Sequence, residues 1–307
     1  MTPALRVITP GLLTTIQDQG RPHAIASGVP PGGAMDRFAH SAANLLAWND
    51  RSAATLECTM SGPRLVAERA SVIAITGADF APRLNGQEAP MWTSIVLAEG
   101  DELAFGGRRL GARAYIAVAG GIVGDRWLGS MSTNLMVGRG GMHGRALAAG
   151  DVIAAGEPLA EPPPGFATLD KTRRPDYGDR ALHAIPGPHP REALFGATFR
   201  VSTDSNRMGY RLDGDALEGP DEEILSFALV AGTVQVPPDG RPILLMADHQ
   251  TAGGYPVAAV VVSASMPAAA QLAPGDEVRF AEISIERALE TRAAQRAALD
   301  SLTISSM

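Results

Sequence analysis

Short apolar runs separated by turn residues recur along the chain. Most are four to seven residues long and bounded by Gly, Pro or Asp, which is typical of β-strands joined by tight turns. The predicted strands are Leu5–Ile8, Ser71–Thr76, Ser94–Leu97, Glu102–Phe105, Ala114–Ala119, Thr198–Ser202, Ile224–Val230, Thr233–Val236, Ile243–Met246, Val257–Val262 and Glu277–Phe280. Asn85-Gly86, which follows the run Ala81–Leu84, predicts a type I′ hairpin. The pattern therefore predicts a mainly β protein.

Two segments have helical spacing of their apolar residues. The first follows the Gly32-Gly33 break, has Asp36 in its first turn and is expected to end near Asn49. The second has Ser284 as its predicted N-cap and runs toward Leu302. We therefore expect only a few helices among the strands.

Two sequence blocks occur twice, in the same order. Thr15–Pro22 resembles Thr233–Pro242, and a pair of glycines follows each of them. Gly100–Phe105 resembles Gly275–Phe280, with a shorter echo at Gly150–Ile153. Ordered repeats of this kind predict duplicated β modules.

A polar, proline-rich stretch, Glu157–Tyr177, is the predicted linker between the modules. The predicted domains are an N-terminal β module at residues 1–160 and a C-terminal module at residues 178–307. The boundary between them is expected within 157–177.

Composition and charge exclude several kinds of partner and binding site. The chain has 307 residues and a formal net charge of −7, which favours neither nucleic acid nor an anionic membrane as partner. Lys171, the only lysine, follows Asp170 and so cannot complete a Walker A loop. Cys58, the only cysteine, excludes an internal disulfide and a cysteine zinc cluster. The sequence has no apolar run of 18 residues and no signal-peptide pattern, so we expect a cytoplasmic protein. We also expect no bound metal.

A first polar constellation contains Asp18 and Arg21 around Gly20, with Asp36 shortly after. On a loop, Asp18 offers an acceptor and Arg21 a bidentate donor to a polar ligand. The alternative is a turn in which Asp18 caps the main chain and pairs with Arg21.

A second constellation contains Arg207 in a short polar loop, where its guanidinium suits a carboxylate or phosphate. Its alternative is a hairpin with solvated charges.

A third constellation combines a turn with a polar, glycine-rich loop, both flanked by apolar strands. Its members are Asp239 and Arg241 in the turn, and Asp248, Gln250, Thr251 and Tyr255 in the loop. Asp239 and Asp248 are the candidate catalytic carboxylates, and Asp248 acts as a base if burial raises its pKa. The alternative is a long hairpin.

A fourth segment, Gly129–Arg145, is either an anion-binding loop or a mobile loop.

Several blocks together resemble a known family. They are TTIQDQGR, GVPPGGAMD, AANLLAWN, TLECTMSGP, SNRMGYRL and VQVPPDGRPILLMADHQTAGGYP. They are similar to the C subunit of 5-oxoprolinase (KipA), also called the biotin-dependent carboxyltransferase family, and to part of the carboxyltransferase domain of urea carboxylase. The resemblance covers roughly Val7 to Phe280. It implies two cyclophilin-like β-barrel modules with a few short helices.

The resemblance also implies a function and partners. A KipI-like protein and a LamB/YcsF-like protein would complete an ATP-dependent complex that opens 5-oxo-L-proline to L-glutamate. ATP, with Mg²⁺, belongs to the complex. One alternative is a carboxyltransferase that uses carboxybiotin carried on another protein, and another is a non-enzymatic regulator that binds a KipI-like protein.

From residue chemistry, Arg207 or Arg241 would anchor the substrate carboxylate, and Asp248, Gln250 or Tyr255 would orient the ring. We expect these residues and Asp239 to converge on one cleft, together with Asp18, Arg21 and Asp36. We also expect that the chain alone does not turn over 5-oxoproline.

Overall fold

The structure, a computed structural model, describes residues 2–158, 167–219 and 224–304. The chain divides into two compact units. Unit 1 lies within Met1–Gly20, Asp36–Pro175 and Gln295–Met307, and unit 2 within Arg21–Met35 and Asp176–Ala294. Arg21–Met35 thus belongs with the C-terminal strands, whereas the predicted domain 1–160 includes it. In the predicted linker Glu157–Tyr177, residues 159–166 lie outside the described residues.

In the described part of unit 1, twelve strands form two antiparallel sheets. They are β1 (Thr2–Thr9), β2 (Leu13–Gln17), β3 (Thr55–Thr59), β4 (Arg64–Ala67), β5 (Ser71–Asp79), β6 (Pro82–Leu84), β7 (Gln87–Glu88), β8 (Ser94–Leu97), β9 (Glu102–Phe105), β10 (Leu110–Val118), β11 (Ile122–Val123) and β12 (Val152–Ala155). A seven-stranded sheet has the order β11-β12-β1-β4-β9-β6-β7, and a five-stranded sheet has the order β2-β3-β10-β5-β8. The predicted Asn85-Gly86 hairpin is confirmed between β6 and β7, with φ of 50° and 80°.

Helix α1 (Arg37–Leu46) covers the centre of the five-stranded sheet, where it contacts β5 and β10. Both strands are buried along almost their whole length, as expected for strands covered on two faces. The carboxylate of Asp36 accepts a hydrogen bond from the N–H of Ala39 at 2.9 Å and caps the helix. The helix ends at Leu46 rather than near Asn49, because Trp48 takes a left-handed φ of 61°.

In the described part of unit 2, nine strands form a closed barrel and a separate pair. They are β13 (Ala181–Pro186), β14 (Thr198–Val201), β15 (Gly209–Asp213), β16 (Phe227–Ala228), β17 (Thr233–Gln235), β18 (Ile243–Leu245), β19 (Ala252–Gly253), β20 (Val257–Val261) and β21 (Glu277–Glu282). The barrel order is β13-β20-β17-β18-β15-β14-β21, and a parallel pairing of β21 with β13 closes it. β16 pairs with β19 outside the barrel, so only Phe227–Ala228 of the predicted strand Ile224–Val230 is extended and paired. The prediction of a mainly β protein is confirmed.

Further helices and 3-10 turns complete the fold. They are α2 (Met266–Ala270), α3 (Ile285–Ile304) and 3-10 turns at Pro22–Ser27, Lys171–Arg173 and Glu192–Phe195. The predicted N-cap of the last helix is confirmed, because the Ser284 hydroxyl accepts a hydrogen bond from the N–H of Arg287 at 3.2 Å. No helix in the described part of the chain combines the length and apolar character needed to cross a membrane.

Three turns with the sequence Ala-x-Gly-Asp share one geometry. They are centred on Gly100, Gly150 and Gly275, which have φ of 86°, 89° and 89°. In each turn the aspartate carboxylate accepts a hydrogen bond from the N–H of the alanine three residues earlier, at 2.7, 2.7 and 2.9 Å. The repeated Gly-Asp blocks therefore adopt the same local structure in both units. That Thr15–Pro22 and Thr233–Pro242 superpose stays a prediction.

Candidate functional site

A buried ion pair lies at one end of the barrel of unit 2. Arg207 is 8% exposed and Asp248 is 9% exposed. Arg207 Nε donates to Asp248 Oδ2 at 2.8 Å, and Arg207 Nη2 donates to Asp248 Oδ1 at 3.3 Å. A planar guanidinium suits this two-point contact, which fixes the orientation of the carboxylate.

The barrel register brings these two residues together. Arg207 comes just before β15, and Asp248 comes three residues after β18. β15 and β18 are antiparallel with Gly209 opposite Leu245, so the start of one strand lies beside the end of the other. The N–H of Asp248 also donates to the carbonyl of Arg207 at 2.8 Å.

A glycine turn packs against the ion pair. Arg207 Nη2 donates to the carbonyl of Gly33 at 2.6 Å, and the N–H of Gly32 donates to the carbonyl of Ala247 at 3.0 Å. A methyl group on Gly32 would lie 2.7 Å from Nη1 of the fully buried Arg21 and 3.6 Å from Asp248 Oδ1. A side chain at position 32 would require the Arg21 guanidinium to move. Arg21, Arg207 and Asp248 therefore lie close to the same glycine turn in unit 2.

Asp239 and Arg241 lie in the turn before β18. Both precede β18, whereas Asp248 follows it, so they lie at the opposite end of this strand. The carboxylate of Asp239 accepts a hydrogen bond from the N–H of Arg241 at 3.1 Å and closes the turn. The exposed guanidinium of Arg241 lies 3.9 Å from the Asp213 carboxylate. These contacts are those of a turn, and a cleft shared with Asp248 stays a prediction.

The remaining loop residues are spread along the connection from β18 to β20. Gln250 Nε2 donates to Gln235 Oε1 at 3.0 Å, and the carbonyl of Thr251 accepts a hydrogen bond from the N–H of Leu229 at 3.0 Å. Tyr255 is exposed. Gln235 was not predicted as a site residue, although it belongs to the repeated Thr-x-Gln block. It is buried, and a methyl group on Gly253 would lie 3.2 Å from its Nε2.

Asp18, in unit 1, anchors the glycine-rich loop. Its carboxylate accepts hydrogen bonds from the Ser130 and Ser132 hydroxyls, both at 2.6 Å, and from the N–H of Met131 at 2.6 Å and of Gly20 at 2.7 Å. Burial raises the pKa of Asp18, but these hydrogen bonds outweigh burial and hold the pKa below its usual value of 3.8. Asp18 and Arg21 belong to different units, and the carboxylate of Asp18 serves its own loop.

Asp36 belongs to a buried polar network in unit 1. Its N–H donates to the Tyr115 hydroxyl at 2.8 Å, and that hydroxyl donates to the buried carboxylate of Glu57 at 2.8 Å. Burial raises the pKa of Tyr115 well above 10. Nearby, His40 lies edge-on to Tyr115 and is fully buried, which lowers the pKa of His40 to about 4. The imidazole is therefore neutral, and the network orders the start of α1.

Close packing accounts for several glycines of Gly129–Arg145. Side chains at Gly140 and Gly141 would collide with the Ser132 carbonyl and the Thr133 hydroxyl. The glycines allow the main chain of this loop to pack closely, and the loop is ordered by hydrogen bonds to Asp18. Among the residues described, no group of three His, Cys, Asp or Glu side chains is placed to hold a metal ion.

Comparisons with known proteins agree with this architecture. Residues 27–282 match the model of the carboxyltransferase domain, subdomains A and B. The chain is 38% identical to the C subunit of the 5-oxoprolinase of Escherichia coli strain K12 over 302 residues, which cover 95% of each chain. It is 32% identical to urea amidolyase of Lachancea kluyveri over 97% of this chain, which corresponds to 18% of that relative's length.

A solved structure extends the similarity to three dimensions. The crystal structure of Kluyveromyces lactis urea carboxylase matches with a TM-score of 0.89 and 29% sequence identity, over 98% of this chain and 29% of that one. The family match covers most of the chain, including the Arg207–Asp248 pair. The chain therefore belongs to the carboxyltransferase domain family, subdomains A and B.

Proposed function

We propose that this chain is the KipA component of an ATP-dependent complex that opens 5-oxo-L-proline to L-glutamate. The observation that carries the proposal is the similarity to a 5-oxoprolinase component over 95% of both chains. The urea amidolyase relative matches over 97% of this chain, at 32% identity. The higher identity to the 5-oxoprolinase component, 38% against 32%, favours the 5-oxoprolinase reaction.

The Arg207–Asp248 pair suits the polar groups of a lactam acid. A carboxylate has about four lone-pair sites, and Arg207 uses one on each oxygen of Asp248. The remaining lone pairs can accept a hydrogen bond from a lactam N–H. Arg207 is the remaining candidate for anchoring the substrate carboxylate, because Arg241 lies at the other end of β18.

ATP and Mg²⁺ are proposed for the assembled complex. Activation of the lactam oxygen by ATP makes the ring carbon susceptible to water. In the described residues no three acidic, His or Cys side chains are grouped to hold a metal ion, so this chain offers no preformed protein site for Mg²⁺ without the phosphates of a nucleotide. We therefore assign this chain the binding and orientation of the substrate, and assign nucleotide binding to the KipI-like or the LamB/YcsF-like partner. The cytoplasmic location stays a prediction.

A carboxyltransferase is the second candidate, favoured by the TM-score of 0.89 to urea carboxylase. An amide or urea acceptor also presents N–H groups, and the Asp248 carboxylate can accept hydrogen bonds from them in the same way. Lys171 lies between Asp170 and Thr172, without the methionines of a biotin attachment tract, so it is not proposed as the biotin carrier. The regulator alternative has no comparable observation in its favour.

Reconstitution distinguishes the two enzymes. We expect the chain with its KipI-like and LamB/YcsF-like partners to form glutamate from 5-oxoproline only when ATP is present, and the chain alone to form none. We expect Asp248→Asn to lower turnover of the complex, with Asp239→Ala as the matched carboxylate control. Avidin-sensitive incorporation of labelled bicarbonate, without glutamate formation, would instead establish the carboxyltransferase.

A further inference from the structure

Two glutamine side chains meet in unit 2. Gln235 is the last residue of β17 and is 1% exposed, whereas Gln250 lies in the loop after β18 and is partly exposed. Gln250 Nε2 donates to Gln235 Oε1 at 3.0 Å. The nitrogen and the oxygen of an amide lie on opposite sides of one planar group, so this bond turns the Gln250 carbonyl oxygen away from Gln235.

The main chain around Gln250 is held by other contacts. Nδ1 of the buried His249 donates to the main-chain carbonyl of Gln250 at 2.7 Å, since a carbonyl can only accept. The N–H of Leu229 donates to the carbonyl of Thr251, the next residue, at 3.0 Å. With the main chain fixed in this way, the direction in which the Gln250 amide faces depends on Gln235.

Stability alone does not explain an amide at position 235. In the part of the chain that the structure describes, Nε2 of Gln235 is buried without a hydrogen-bond partner. A buried donor without an acceptor lowers stability, and an apolar side chain of similar shape would avoid this cost. Gly253 lies close against the amide, because a methyl group there would be 3.2 Å from Nε2. The hydrogen bond from Gln250 is the contact that requires a polar group at this position.

Gln250 lies two positions after Asp248 of the buried ion pair. Two residues span at most about 7 Å of chain, so one small ligand can contact both side chains. Arg207 uses one lone pair on each oxygen of Asp248, and the others remain acceptors. With the Gln250 oxygen turned away from Gln235, the loop can offer two acceptors to the same ligand.

We propose that Gln235 is a positioning residue, which turns the Gln250 amide so that its oxygen, together with Asp248, accepts the ring N–H of the substrate. The inference rests on the proposed function, because 5-oxo-L-proline presents one N–H at the bond that opens. One N–H can be shared between two acceptors. Without Gln235, the Gln250 amide can rotate and present its nitrogen, which cannot accept from an N–H.

This arrangement selects a lactam over the matching lactone. In the γ-lactone analogue of 5-oxoproline an oxygen replaces the ring N–H, so acceptors of the site would face an acceptor of the ligand. A site built to bind an N–H rejects the analogue that lacks it. The ratio of the two affinities therefore reports the orientation of the Gln250 amide, whereas a general loosening of the fold lowers both affinities together.

Calorimetric binding of the lactam and the lactone tests the inference. Both compounds are titrated without ATP into the purified chain and into its complex with the KipI-like and LamB/YcsF-like proteins. We expect Gln235→Leu to lower the preference for the lactam about tenfold, the scale of one hydrogen bond. Gln235→Glu keeps an acceptor for Gln250 Nε2 and should keep the preference of the parent chain. Gln250→Leu should lower the preference by as much, and Gln235→Leu should add nothing to it in the double variant.

Gln17→Leu is the matched control. Gln17 belongs to the corresponding Thr-x-Gln block of unit 1, is fully buried and donates from Nε2 to the carbonyl of Thr133 at 3.2 Å. Its Oε1, like Nε2 of Gln235, has no hydrogen-bond partner among the described residues. Gln17→Leu should therefore change the melting temperature about as much as Gln235→Leu does, but leave the preference for the lactam unchanged.

An unchanged preference in folded Gln235→Leu would overturn the inference, as would an equal loss in Gln17→Leu or in Gln235→Glu. If Gln235→Leu does not fold, Gln250→Leu and Gln235→Glu decide the matter, since the first must lose the preference and the second must keep it. A parent chain without a preference for the lactam, alone and in the complex, would also overturn the inference. A complex that prefers the lactam through this contact but forms no glutamate with ATP would refute the proposed function and leave the inference standing.

Discussion

Arg207 and Asp248 bond to each other through both main chain and side chains. The N–H of Asp248 donates to the carbonyl of Arg207 at 2.8 Å, and the Arg207 guanidinium donates to both carboxylate oxygens in return. The main-chain bond holds the start of β15 beside the end of β18, and the side-chain bonds pair the two charges of the candidate site. A change to either residue therefore has consequences for folding as well as for binding.

Breaking this pair should destabilise the protein strongly. Arg207→Met or Asp248→Leu each leaves a buried charge without its partner, at a cost of about 3–5 kcal/mol in the free energy of unfolding. The double variant Arg207→Met with Asp248→Leu should cost clearly less than the sum of the two single changes. Urea unfolding of all four proteins checks this. Additive losses would show that the two side chains are not coupled.

Changes at the opposite end of β18 should have small effects. Asp239→Ala removes one turn hydrogen bond and should cost about 1 kcal/mol of unfolding free energy. Arg241→Ala removes an exposed cation 3.9 Å from Asp213 and should cost less than about 0.5 kcal/mol. Both variants should retain the turnover of the parent chain in the assembled complex. A large rise in KM for either would return these residues to the site.

Gly32 should tolerate a methyl group less well than Gly28. Both have positive φ, 64° and 74°, so alanine at either position costs about 1–2 kcal/mol of backbone strain. At Gly28 the new methyl group meets open space, whereas at Gly32 it must displace the buried Arg21. Gly32→Ala should therefore lose about 1–3 kcal/mol more than Gly28→Ala in denaturant unfolding. Equal losses would mean that the packing around Gly32 is loose.

His40 should make stability depend on pH between about 6.5 and 4. Burial lowers the pKa of His40 from 6.5 to about 4, so below pH 6.5 the unfolded chain binds a proton that the folded chain does not. Stability is fully present above pH 6.5 and falls as pH decreases toward 4, by about 3 kcal/mol in total. His40→Gln should remove this part of the pH profile in urea unfolding. An unchanged profile in the variant would assign the dependence to other groups.

The sequence by itself determined the features that depend on near neighbours. Ser284 and Asp36 cap helices through residues three positions away, and Asn85-Gly86 makes its turn from two φ angles. The three Ala-x-Gly-Asp turns likewise close within four residues. Interactions between residues so close in sequence depend only on the local order of residues, so the sequence predicts them. The strands are predicted for a related reason, because their apolar runs reflect burial.

Only the tertiary structure decided which distant polar groups meet. Asp239 and Asp248 are nine positions apart and equally plausible as site residues, but β18 runs between them and separates them. Arg207 reaches Asp248, 41 positions away, because β15 and β18 pair in one register. Asp18 meets Ser130 and Ser132 across more than a hundred positions, and so holds a loop that is distant in sequence. The direction and register of the strands determine which of these side chains meet. Composition and local spacing do not predict strand direction or register.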